Sequence, residues 1–273
     1  MIKSRKPTTS GQRFVQYEDK SKITSQKPHK KLLKVINKKS GRDVLGHIST
    51  RHKGGGAKRL YRLVDFSNTT FKDAKVETIE YDPNRNAYIA LINIDGNKKY
   101  IIAPTELKIG QLISFQDETS IKAGNRMQLK NIPTGSFIHN LELQPSSKAK
   151  IVRAAGTAAT LLSKDDLYIT VKLPSGEIRK FNPLCYASIG QVSNPEHKLI
   201  KIGKAGRKRH MGIRPTVRGK AMHPAAHPHG GGEGVNPIGL KYPKTPWGKI
   251  AIGGKTRKVK KPSSKLILVR RKK

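Results

Sequence analysis

Only one cysteine, Cys185, occurs in 273 residues. That excludes an intramolecular disulfide framework and any multi-cysteine zinc ribbon, and it fits a small buried residue on a strand in a reducing compartment. Aromatic residues make up only 5% of the chain and hydrophobic residues 35%. The core is therefore modest for this length, and much of the chain must lie outside it. Nowhere do 18 apolar residues run together, and no amphipathic basic helix is apparent, so neither a spanning segment nor a lipid-lying one is expected. The first residues, MIKSRKPTTSGQRF, lack the apolar stretch of a secretory signal. Acidic residues are scarce too, 18 against 56 Lys+Arg, which leaves a net charge of +38. A field of that strength and sign draws phosphate backbones, so the expected partner is a nucleic acid rather than a membrane or a small-molecule substrate.

The acids are missing from the ends in particular. Residues 1–63 hold 18 cations against Glu18, Asp19 and Asp43; residues 64–196 hold 16 against 14 acids; residues 197–273 hold 22 against Glu233 alone. A nearly neutral middle thus lies between two polycationic arms, which on their own would repel themselves and stay disordered.

Regular alternation is confined to that middle. Strand-like runs at 76–82, 87–94, 99–103 and 112–115 are joined by turn chemistry, Asp82-Pro83-Asn84-Arg85-Asn86 and Asp95-Gly96-Asn97, and predict a small antiparallel barrel. A second set at 136–143, 149–153, 158–162, 167–173, 177–181 and 187–192 predicts another all-β unit, the two meeting near 122–126. His139 reads as a half-exposed strand histidine. Residues 151–160, with Arg153 among alanines and Gly156, suit either a tightly packed strand pair or a close approach of RNA backbone.

Two segments look built for phosphate. Arg51-His52-Lys53-Gly54-Gly55-Gly56-Ala57-Lys58-Arg59-Leu60-Tyr61-Arg62 places cations around glycines that lack side chains to hold a backbone away, with Tyr61 as a stacking surface. Residues 223–247 combine His223, His227 and His229 with prolines and Gly230-Gly231-Gly232, and end in Trp247. Their basic flanks hold Lys204, Arg207, Lys208, Arg209, Arg214 and Arg218 before, and Lys255 and Arg257 after. No period runs through this stretch, so it reads as a ribbon laid on a large partner.

The enzymatic readings are weak. Gly253-Gly254-Lys255-Thr256 resembles the tail of a Walker A loop, but Lys249 stands where the leading glycine belongs. The three histidines lack a helix or hairpin to aim them at zinc, since Pro224 and Pro228 interrupt them. No cofactor is expected, and Mg²⁺ bridging to RNA is the one metal role left open. General acid–base chemistry by His229 is the alternative to pure binding.

Read in order, Arg51–Gly56, Tyr61–Phe66, Asn131–Gly135, Leu173–Glu177, Gly203–Gly206, Arg214–Gly219, His227–Gly234 and Thr245–Gly248 resemble the universal large-subunit ribosomal protein two, in its bacterial or organellar form. The resemblance implies an all-β chain, an OB-fold barrel over 63–124 and an SH3-like barrel over 125–196. A basic arm at 1–62 and a Gly/Pro/His-rich extension at 197–273 flank them. It implies a structural role on large-subunit ribosomal RNA near the peptidyl transferase centre, with neighbouring ribosomal proteins and the small-subunit interface as partners, in the bacterial cytosol or an organelle. The family's RNA-proximal histidine falls on His229 and its glycine-rich contact on Gly230, Gly231 and Gly232. His223 and Ala225-Ala226 replace the family's usual asparagine and valine-aspartate, so the carboxylate beside His227 is missing.

Overall fold

The computed structural model describes residues 2–25, 27–67, 71–254, 256–258 and 260–271. It is almost entirely β. The strands, in chain order, are β1 (Ile2–Ser4), β2 (Gln16–Glu18), β3 (Leu33–Val35), β4 (Leu60–Arg62), β5 (Phe71–Glu80), β6 (Ile89–Ile94), β7 (Asn97–Ile102), β8 (Leu112–Phe115), β9 (Arg126–Gln128), β10 (Phe137–His139), β11 (Ala159–Lys164), β12 (Ile169–Lys172), β13 (Ile178–Phe181), β14 (Tyr186–Ile189) and β15 (Ile267–Val269). Among the described residues, one short helix, α1 (Ala205–His210), joins several single 3₁₀ turns.

The chain forms two compact units. The first comprises residues 1–37, 58–207 and 265–273; the second comprises 38–57 and 208–264.

In the first unit, eleven strands run in the order β15-β13-β12-β11-β10-β14-β9-β8-β5-β6-β7. Neighbours are antiparallel except β8 and β9, which meet in parallel at the single pair Phe115↔Arg126. That joint divides the sheet into two barrels with separate cores. Ala74, Val76, Ala90, Ile92, Ile101 and Ile113 fill the N-terminal one. Met127, Leu129, Ile138, Leu161, Val171 and Phe181 fill the C-terminal one. β5 turns Ala74 and Val76 inward two residues apart, as a half-buried strand does. β6, in contrast, is buried at four successive residues, Ile89–Ile92, and β7 at Tyr100–Ile102, their other face packing with Leu32 and Val64. Between the barrels, Ala87, Ile102 and Val192 pack together, and Ser193 ties the two, its amide donating to the Ala103 carbonyl and its hydroxyl accepting from the Tyr88 amide.

Cys185 is fully buried one residue before β14, and burial followed by the charge of Glu142 pushes its thiol up to about 11, which leaves it unreactive. A deeply buried ion pair belongs to the C-terminal barrel: Arg126 Nη2 donates to Glu142 Oε1 at 3.2 Å and Nη1 to the Asn140 carbonyl, while Glu142 Oε2 accepts the Tyr186 amide. Burial pulls the Arg126 guanidinium down and Glu142 opposes it. Because both charges are out of water, removing either partner alone strands the other.

Several expectations change. The strand expected over 149–153 shrinks to the bridge Leu141↔Ile151, because Val152 and Asn140 adopt left-handed backbone, φ 55° and 52°, which interrupts a ladder. β10 ends at His139 for the same reason. Strands β1–β4 and β15 lie in stretches too short and too Lys-rich to show a period, yet β3 pairs β4 and β15 extends the sheet beyond β13.

His139 is not half-exposed but 1% exposed: β10 is flanked by β11 and β14, and Ile138 and His139, on opposite faces, are both buried while Phe137 is 60% exposed. Its Nδ1 lies 2.9 Å from the Gly190 carbonyl, so that nitrogen carries the proton. Burial depresses the imidazole to about 4, with the Arg126 charge adding to the effect. A histidine whose folded pKa is depressed stabilises the fold fully above its ordinary value of 6.5 and loses that contribution as pH falls toward 4. Between pH 7 and pH 4, denaturant unfolding of the wild type should therefore lose about 3 kcal/mol more than that of His139→Gln. Equal losses would show that the imidazole is not held neutral.

Candidate nucleic-acid interface

The second unit carries 18 Lys+Arg against Asp43 and Glu233. Among its described residues only His227 is buried. With no apolar core among those residues, backbone hydrogen bonds hold the unit together. The Gly54 amide donates to the Gly212 carbonyl, Ala57 to His210 and Arg214 to His52, which lays the 51–57 loop along 210–214. Lys38 Nζ secures the loop's inner side, donating to the carbonyls of Gly55 and Ala57.

Not every glycine here serves a phosphate. A Cβ on Gly56, at φ 60°, would lie 2.7 Å from the Gly212 nitrogen and 2.8 Å from the His210 oxygen. A Cβ on Gly230 would lie 2.4 Å from the His223 carbonyl, and one on Gly231 2.9 Å from the Pro224 ring. These three are demanded by the chain's own packing. A Cβ on Gly55 or Gly232 would meet nothing nearer than 3.7 Å, an ordinary contact distance, although Gly232 at φ 108° holds a backbone conformation that favours glycine.

The histidines form a connected set. His227 lies against Gly219, where a Cβ would come within 2.5 Å of the ring. Its Nδ1 accepts the His229 amide at 3.0 Å, so the proton of the neutral ring is on Nε2. Burial, then the neighbouring His229 and Arg51, lower its pKa and keep it neutral. The His227 and His229 rings lie 4.7 Å apart at 56°. His229 Nε2 accepts the Lys244 amide at 2.9 Å, which leaves Nδ1–H as its free donor when the ring is neutral. His223 Nδ1 accepts the Ala225 amide. Each of the three rings therefore spends one nitrogen holding its own backbone.

Around His227 opens a cleft of about 580 Å³, lined also by Arg51, His52, Val217, Met222 and Trp247. Trp247 caps a small hairpin closed by the Lys244↔Ile250 bridge and a Thr245–Gly248 turn, and it is 76% exposed. The Arg51 guanidinium sits 5.6 Å from its ring centroid. His52 occupies left-handed backbone at φ 63°, a costly state for a residue with a side chain, and its Nδ1 contacts the Thr216 hydroxyl and Pro215 carbonyl. An exposed indole, a guanidinium and an imidazole lining one space are the kinds of group a nucleobase needs for stacking and an edge contact.

Two family models match this chain. Residues 29–115 match Ribosomal Proteins L2, RNA binding N-terminal domain, and residues 122–248 match Ribosomal Proteins L2, C-terminal domain. The chain belongs to the ribosomal protein L2 family. It is a structural, RNA-binding constituent of the large ribosomal subunit, with ribosomal RNA and ribosomal proteins as partners. The two barrels are accordingly the family's OB-fold and SH3-like barrels.

The predicted contact residues divide. In the second unit Arg51, His52, His227 and Trp247 share the cleft, while Lys53, Lys208, Arg209, Arg214 and Arg218 are exposed. His229 borders them through Lys244, and Arg257 is tied to Ser263 and Ser264. Lys255 lies outside the described residues. In the first unit Lys58 and Lys204 are exposed and Tyr61 half-buried. Arg59 donates to the Pro83 carbonyl, Arg207 to Gln16 and Ile202, and Arg153 lies 4.6 Å over Phe66. Arg62 is only 8% exposed and bonds the Leu60 carbonyl, a position that supports β4 rather than an outer surface. Gly219, Lys38 and the Lys244 amide went unread. Only Gly219 had a signal, as the last residue of the Arg214–Gly219 motif.

Because Gly56 is locked by packing and Gly55 is not, alanine at the two positions should separate. Gly56→Ala should speed hydrogen exchange at the Gly54 and Ala57 amides by about tenfold or more, through left-handed strain and the clash with Gly212. Gly55→Ala should leave both amides protected. Equal protection in the two variants would contradict the packing role.

Proposed function

We propose that the Arg51–His227–Trp247 cleft takes an unpaired base of large-subunit ribosomal RNA, and that the flanking cations hold the backbone on either side of it. The observation that carries this is the 76% exposed Trp247 beside Arg51, on a cleft that His227 also lines. Lys53, Lys208, Arg209, Arg214 and Arg218 supply the surrounding phosphate contacts, and Lys58 and Lys204 of the first unit make phosphate contacts of their own. Residues 1–62 and 197–273 act as RNA-bound extensions of the OB-fold (63–124) and SH3-like (125–196) barrels. The site lies near the peptidyl transferase centre and supports subunit association, in a cytosolic or organellar ribosome of bacterial type. Family membership and the +38 charge support that reading. The protein acts there without catalysing, because His229 Nε2, the lone pair a general base would need, is occupied by the Lys244 amide.

Stacking and charge can be told apart by salt. Against an rRNA fragment with an unpaired base, Trp247→Ala should weaken binding by about 1–3 kcal/mol without changing the dependence on salt. Lys53→Ala should flatten the slope of log affinity against log salt by about 0.7–0.9. A changed slope for Trp247→Ala would remove the stacking role.

His229→Gln retains an acceptor for the Lys244 amide, whereas His229→Ala does not. In assembled particles the glutamine variant should join subunits and form peptide bonds normally. The alanine variant should lose up to about tenfold in subunit joining, the upper end of what an ordinary neutral hydrogen bond contributes. Normal joining but equally slow peptide bonds in both variants would give the imidazole a chemical role.

A further inference from the structure

A second cavity, of about 650 Å³, lies wholly within the first unit and has the wrong chemistry for RNA. It opens where the β1–β2 hairpin, the 103–109 loop and residues 193–200 come together. Its lining includes Ile79, Pro104, Leu107, Ile109 and Ile200, to which phosphate and ribose offer nothing. Ile109 is 52% exposed there.

The charges on this lining invert the balance of the chain. Glu18, Asp19, Glu106 and Glu196 face it, against Lys22 and Lys108. Four of the 18 acids in a chain of net charge +38 thus converge on one groove. Two of them are held in place: Glu18 accepts the Tyr88 hydroxyl, and Asp19 accepts the Ser21 amide and pairs with Lys3 at 3.1 Å. The Lys3 bond holds the Asp19 carboxyl below its ordinary range, so it stays ionised. Burial and Glu18 raise the Tyr88 hydroxyl, which stays a neutral donor.

The walls are also fixed by backbone. Thr105 donates to the Gln191 carbonyl and Gly110 to Val76, so the 103–110 loop is pinned to both barrels. The groove is formed before anything enters it, and its volume is within the range of pockets that bury a ligand of a few hundred daltons.

We infer that this groove docks an extended, Lys/Arg-rich segment of a neighbouring ribosomal protein, with an aliphatic side chain seated on the apolar floor and its cations on the carboxylate rim. Charge complementarity selects that occupant. Phosphate is disfavoured by a lining that carries four carboxylates against two lysines, and a neutral peptide would bring nothing to that negative excess. The overall charge of the chain does not prevent a cationic visitor, since at physiological salt fields are screened over about 8 Å and the nearest charges dominate. The face also fits its setting: RNA covers cationic surface, and a locally acidic, apolar groove is the place left for protein.

The test is calorimetric titration of the full chain, near physiological salt, with two capped pentapeptides, one alternating arginine with leucine and the other arginine with serine. The leucine peptide should bind, and the serine peptide at least about tenfold more weakly, the worth of one aliphatic side chain leaving water. Glu106→Lys and Ile109→Ser, both at exposed positions, should each weaken the leucine peptide by about tenfold. Both should bind an rRNA fragment as the wild type does, so that the family's RNA role is read separately. The proposal is overturned by no binding of the leucine peptide, by equal binding to wild type and variants, or by loss of rRNA affinity in the variants. It is overturned as well by self-association of the wild-type chain that Glu106→Lys abolishes, which would seat the chain's own basic arm in the groove.

Discussion

Uncompensated positive charge is the constraint on which the rest depends. Residues 38–57 and 208–264 gather 18 cations and, among the described residues, bury one side chain, His227. No hydrophobic term of useful size is available to offset either the repulsion or the ordering entropy of such a segment. What the chain supplies instead is a set of local backbone bonds that narrows its conformations before RNA supplies the counter-charge. The paired 51–57 and 210–214 segments, the His227–Gly219 contact and the Trp247 hairpin are of this kind. Each shapes a surface without a core beneath it, and affinity for phosphate then completes the stabilisation.

The barrels solve the opposite problem. Their near-neutral sequence allows two ordinary cores, and the single parallel pair Phe115↔Arg126 joins them. Arg126 serves both the joint and the buried pair with Glu142, so one cation is fixed at the seam by desolvation and hydrogen bonding rather than offered to RNA. Arg62 is treated alike. In a chain with 56 Lys+Arg, a basic residue is therefore no proof of a phosphate contact; what its guanidinium already bonds decides the matter.

Much of this was legible in the order of residues. Short runs of strand-forming residues between Asp-Gly and Pro-Ser-Gly turns mark the barrel strands. The glycine, histidine and tryptophan motifs mark the second unit and its cleft. The three-residue strands β1–β4 and β15 were not legible, since a period cannot show in three residues and their partners are distant in sequence. Nor was the burial of His139, which depends on β10 lying between β11 and β14. The meaning of the glycines split for the same reason: Gly55 and Gly56 look identical in sequence, and only the position of Gly212 makes one a packing requirement and the other an open approach.

The acidic groove was missed for an instructive reason. Its carboxylates come from positions 18, 19, 106 and 196, dispersed along a chain in which lysine and arginine far outnumber them. Charge counted along the chain averages them away, whereas the fold adds them. A polycation that must bind RNA over most of its surface can keep a protein-binding site only where it excludes phosphate, and dispersing the acids in sequence while gathering them in space does so without reducing the charge of either arm. The same logic places the apolar floor there. An aliphatic surface facing RNA would remain unpaired, while one ringed by carboxylates selects a partner that brings both a cation and a hydrophobic side chain.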